Sequence, residues 1–123
     1  MKRVFSLSAL LFFPLLSAAS VPQYSEAYPC YWVHGRLAPA NGNPMWRIWP
    51  SGTKRLLGVV GNRPGDDADF ASWPLALRHA NPGFTRIVWG DFRVCPVTPE
   101  RPGWMRFVHI KDVRVLKIQA LGS

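Results

Sequence analysis

The sequence predicts an all-β domain, five strand regions with one short helix between the third and the fourth. Three observations carry that expectation. Apolar and polar residues alternate through Tyr31–Leu37 and again through "MWRIW" at 45–49, the period of a strand that buries one face. Clusters of Pro, Gly and Asn separate the runs, which is turn chemistry. Only one interval, 68–80, spaces its large apolar residues as a helix does.

The first run places Tyr31, Val33, Gly35 and Leu37 on one face and Trp32, His34 and Arg36 on the other. Pro39, Asn41-Gly42 and Pro44 then break it. The second run puts Trp46 and Ile48 inward and Arg47 outward, and "PSG" turns the chain into a third strand, "TKRLLGVV" at 53–60. Phe70, Trp73 and Leu77 form the helical stripe of about two turns, with Ser72 placed to cap it and Pro74 in its first turn. Asn81-Pro82-Gly83 stops it. In the fourth run Ile87 and Trp89 share one parity and Phe92 and Val94 the other. A bulge at Gly90–Asp91 would turn both pairs to the core; a hairpin turn at Gly90 is the competing reading. After the Pro-rich loop "VTPERPG", the last run shows a second parity change near Lys111–Asp112.

Residues 1–19 stand apart from this pattern. Lys2 and Arg3 precede an uncharged apolar run, Leu7–Leu16, and Ser17-Ala18-Ala19 follows. That is the layout of a secretory signal peptide cleaved after Ala19, and the run is short for a membrane span of about 20 residues. No Cys adjoins the site, which argues against lipid attachment there. Removing these residues from 123 leaves 104, and taking two cations from the formal charge of +8 leaves +6. That length fits a single domain, and the destination is periplasmic or secreted. In an exported chain the two cysteines, Cys30 and Cys95, most simply form one disulfide.

Three strands, a plug helix and two more strands resemble the OB-fold, a five-stranded Greek-key barrel. The resemblance covers residues 30–119, with an irregular lead-in at 20–29 and a tail at 120–123. An SH3-like barrel or an open antiparallel sheet is the alternative. In OB-type folds the first and fourth strands are neighbours. Cys30 and Cys95 both lie opposite the core parity, so the two can meet on one outer face. The phrases "VHGRL", "NGNP", "RIWPSGTKRLLGV" and "GDFRVCP" also resemble a family of small exported bacterial proteins. That likeness implies one secreted domain and brings no mechanism with it.

The outer face of the first three strands is expected to collect His34, Arg36 and Arg47, Lys54 or Arg55, and Trp49. Loops 38–44 and 96–103 would join it, with Arg101, Trp104 and Arg106 at its margin. OB-type folds use this side for ligands; guanidinium groups pair with phosphate, sulfate or carboxylate, and rings stack on bases or sugars. Taken singly, each residue fits an ordinary role as core filler or edge-guarding charge. Taken together at +6, Arg36, Arg47, Trp49, Lys54, Arg55, Arg101 and Trp104 point to an anionic partner: a lipid headgroup, a polysaccharide or an acidic protein. Nucleic acid is less favoured for an exported chain, and a membrane would be engaged only through surface charge. The competing class is a protein-interaction or inhibitor domain with an exposed Trp patch; a small hydrolase is more remote. No cofactor is expected. His34, His79 and His109 have no metal-ligand spacing. Asp66, Asp67 and Asp69 read as a turn rather than a calcium loop. Asp91 and Asp112 fall at predicted bulges, and nothing in the sequence pairs them for glycoside hydrolysis.

Overall fold

The computed structural model describes residues 22–80 and 82–121. The expected leader, Asn81 of the helix stop, and the last two residues of the tail lie outside the described residues. The elements are β1 (Tyr31–Pro39), β2 (Trp46–Pro50), β3 (Leu57–Val59), α1 (Leu75–Ala80), β4 (Arg86–Pro96) and β5 (Arg106–Ala120). The sheet closes in a ring in the order β1-β2-β3-β5-β4, with β4 returning to β1. β3 and β5 run parallel; the other pairs are antiparallel. The fold is therefore β-rich and its sheet mixed.

The interior follows the alternation in β1 and β2. Leu37, Trp46 and Ile48 are buried, as are Leu57, Val59, Val88, Phe92, Val94, Val108 and Ile110. α1 adds Leu77 and Ala80 and packs against β5. Trp46 anchors one end of the core, edge-on to Phe70 and Trp73. Its buried indole N–H has no hydrogen-bond partner among the described residues. The helical stripe is split in two: Phe70–Ser72 is a 3-10 turn whose cap is Asp69, accepting from the Ala71 N–H. Ser72 does not cap α1, because its hydroxyl donates to the Asp69 carbonyl at 2.7 Å.

β4 departs from expectation. It keeps one parity throughout, with Val88, Gly90, Phe92 and Val94 all inside, so Trp89 faces outward. The extra residues lie on β5 instead. Trp89 pairs with Lys117 but Gly90 with Val115, which leaves Leu116 over; Arg93 pairs with Asp112 but Val94 with Ile110, which leaves Lys111 over. The parity change predicted near Lys111–Asp112 is present as a bulge; the one predicted at Gly90–Asp91 falls on the opposite strand. The reason is space. Gly35 and Gly90 face each other at the β1–β4 seam. A Cβ on Gly35 would overlap the Trp49 carbonyl, and one on Gly90 the Arg114 carbonyl. A ring this narrow brings backbones together where only hydrogen fits, and an indole cannot turn in there.

The third strand is also shorter than predicted. Thr53 folds residues 50–55 into a turn: its hydroxyl donates to the Pro50 carbonyl and accepts from the Arg55 N–H. Lys54 and Arg55 therefore belong to a loop. The disulfide forms as expected between Cys30 and Cys95, one step beyond the Tyr31–Val94 pair, although Cys95 is buried rather than outward and open. It closes 65 residues, which in the chain-entropy account is about 4 kcal/mol, and it fits an oxidising compartment.

Replacing Gly35 by alanine, Gly35→Ala, is expected to cost ~1–3 kcal/mol, the usual range for overpacking. Chemical denaturation of the oxidised protein measures it; an unchanged midpoint would show that the strands do not approach so closely.

Candidate functional site

Register sets two outward rows side by side. One runs Trp49, Arg36, Trp89, Lys117 across β2, β1, β4 and β5. The next carries Arg47 opposite Ala38, and Ile87 opposite Gln119. The Arg36 guanidinium lies 4.3 Å from the Trp49 ring centre and 5.7 Å from that of Trp89. Each exposed contact of this kind contributes about 0.5–1 kcal/mol. Both indoles are held by their polar edges: Trp49 Nε1 donates to the Thr53 carbonyl at 2.5 Å and Trp89 Nε1 to Gln119 Oε1 at 3.1 Å. The rings are therefore preorganised, and the guanidinium between them keeps its N–H edges free of any carboxylate among the described residues.

Two hollows flank Arg36 and Trp49. One, of about 290 Å³, is completed by Ser51, Gly52, Thr53 and Trp89. The other, of about 370 Å³, adds Arg47 and an apolar set that includes Ala38, Leu56, Ile87 and Leu121. Arg47 is oriented by its Nε–H, which donates to the Pro44 carbonyl at 3.0 Å.

A third hollow, of about 400 Å³, adjoins at Leu56 and holds Lys54, Arg55, Glu100, Arg101 and Trp104. Arg55 is tied to Glu100, which also lies 3.9 Å from Arg106. Arg101 stands 5.9 Å from the Trp104 ring centre, and Trp104 is 69% exposed. The sequence-predicted residues thus fall into two groups. Arg36, Arg47 and Trp49 share the sheet face. Lys54, Arg55, Arg101 and Trp104 share the loop hollow. Sequence reasoning missed Trp89, because its hydrophobicity was weighed ahead of the even parity of Val88, Phe92 and Val94. It also missed that Glu100 would engage Arg55 of the loop before β3 and Arg106 at the start of β5.

The remaining titratable groups are dispersed. His34 and Asp91 pair at 2.7 Å across β1 and β4. Asp66 holds Arg63 at 2.9 Å, and Asp112 accepts from the Val113 N–H at 2.8 Å. Among the described residues no three acidic, His or Cys side chains gather where they could hold a metal.

The lead-in at 22–29 is irregular but anchored. The Tyr24 N–H donates to the Asn62 carbonyl at 2.8 Å. Glu26 meets His109 Nδ1 at 2.7 Å and Lys111 Nζ at 2.8 Å. His109 Nε2 lies 2.8 Å from the Gly61 carbonyl, so both nitrogens of that ring face oxygen atoms. Burial pushes the Glu26 carboxyl upward, but the hydrogen bonds and charges of Lys111 and His109 outweigh it and hold the group below its ordinary 4.5.

Comparison with family models, with curated proteins and with solved structures finds no match to this chain.

The depressed Glu26 value fixes a sign. Its contribution to stability is present above the unfolded-chain value and is lost as pH falls through the lower folded value. Glu26→Gln should therefore lower stability at neutral pH and flatten its decline below about pH 4.5. Denaturant midpoints measured across that range check this; parallel curves for the two proteins would contradict it.

Proposed function

We propose that this chain is an exported, non-enzymatic binding module that holds an anionic ligand of the envelope or its surroundings. The ligand lies on the outer face of β1, β2 and β4 and extends toward the adjoining loop hollow. One observation carries the reading. Arg36, Arg47, Lys54 and Arg101 border hollows that meet at Leu56, and none of the four has a carboxylate partner among the described residues. The one carboxylate that lines those hollows among the described residues, Glu100, is already engaged by Arg55 and Arg106. Cations left unneutralised side by side repel, and an anion set between them relieves that repulsion.

Three further points support it. The signal-peptide layout and the disulfide fit export to an oxidising compartment. The ring order, with β3 parallel to β5 and α1 between β3 and β4, is what an OB-like barrel would have. That architecture uses its strand face and its first and last inter-strand loops for ligands. A second reading, an interaction or inhibitor domain, is favoured by the exposure of Trp32 and Trp104, 54% and 69%; such rings anchor protein interfaces.

Retention on immobilised polyphosphate, and on phosphatidylglycerol vesicles, tests the first reading. Binding should weaken steadily as sodium chloride is raised, and the double variant Arg36→Gln/Arg47→Gln should bind at least about tenfold less tightly, the loss of one charged hydrogen bond. Absence of binding to both probes, or binding indifferent to salt, would contradict it.

A further inference from the structure

We infer that the hollow shared by Arg36 and Arg47 takes one anionic amphiphile, its acidic headgroup between the two guanidiniums and its apolar tail over Ala38, Leu56, Ile87 and Leu121. This rests on the anion-binding reading above and specifies its ligand.

The two arginines are diagonal neighbours. Arg36 pairs with Trp49, and Arg47 lies two residues from Trp49 on the same strand. Such diagonals are about 7–8 Å apart at the backbone, within reach of long side chains. Each is already oriented, Arg36 by its stacking on Trp49 and Arg47 by the Pro44 carbonyl. The terminal N–H groups of both remain for a planar or tetrahedral oxyanion, the geometry guanidinium pairs with best.

Beyond the arginines the lining changes character. The side chains there are aliphatic or proline rings, and Trp49 has already committed its N–H to Thr53. Among the described residues that line the hollow, no side chain carries a hydroxyl, an amide or a carboxylate. A sugar chain would leave its hydroxyls unpaired there, and a polyanion needs further cations where this floor is apolar. An alkyl tail, in contrast, gains from covering exposed Leu121 and half-buried Ile87. At about 370 Å³, the hollow stands near the lower end of ligand pockets, roughly 300–1,000 Å³. It suits one headgroup and part of one chain.

The test is a chain-length series on the unaltered protein. Binding of inorganic phosphate, butyl phosphate, octyl phosphate and octyl glucoside, all below their micelle concentrations, is followed by calorimetry and tryptophan fluorescence. Octyl phosphate should bind at least about tenfold more tightly than butyl phosphate, since each fully buried methylene strengthens binding about fourfold. Octyl glucoside should not bind. Arg36→Gln and Arg47→Gln should each weaken octyl phosphate about tenfold or more. Equal affinity for butyl and octyl phosphate, or for inorganic phosphate alone, overturns the amphiphile assignment, and so does octyl phosphate binding unaffected by either substitution. Retention on polyphosphate without octyl phosphate binding leaves the anion-binding reading standing and removes this one. Failure of every anionic probe removes both.

Discussion

The structure depends on the seam where β1 meets β4. Gly35 and Gly90 lie opposite each other there, and neither position has room for a methyl group. That contact lets the ring close around a small interior. Beyond Tyr31 and Val94, Cys30 and Cys95 lock the same two strands covalently. With the seam set, the register of every outward side chain on β1 and β4 is set too.

A narrow interior has consequences outside it. Trp46 and Phe92 occupy much of the core, so Trp49 and Trp89 remain on the surface, flanking Arg36. Their edges are satisfied by Thr53 and Gln119, which leaves apolar rings beside a guanidinium whose charge no carboxylate of the described residues opposes. Elsewhere most of the acid is spoken for: Glu26 by His109 and Lys111, Asp66 by Arg63, Asp91 by His34, Glu100 by Arg55. Arg78, Arg86, Arg93 and Arg114 also lack a carboxylate partner among the described residues; what sets Arg36, Arg47, Lys54 and Arg101 apart is that they border adjoining hollows.

Much of this could be read from the sequence where a single strand carries its own information. Val33–Leu37 alternates, and its core and outer faces follow directly, although Tyr31 on the same parity is exposed at the start of the strand. Trp46 and Ile48 against Arg47 are equally legible. The cysteine pairing followed from compartment and strand adjacency. What failed was information that one strand does not hold. Whether Trp89 points in or out depends on the space left between Gly35, Gly90 and Arg114, and the bulges that restore parity lie on β5, not on β4. The pairing of Glu100 with Arg55 joins residues far apart in sequence, in a loop that offered only proline and charge to read. Thr53 shortened the third strand because its hydroxyl competes for backbone groups, and "TKRLLGVV" shows that competitor only as one threonine at its edge.

The central claim is that the β1–β2 and β1–β4 registers together set Trp49, Arg36 and Trp89 in one outward row. Nuclear Overhauser contacts from the Arg36 side-chain methylenes test it most directly. The account predicts contacts to both indole rings, with the methylene resonances shifted upfield by ring currents. Contacts from Trp89 to Leu37 or Leu77 in the interior, and none to Arg36, would contradict it.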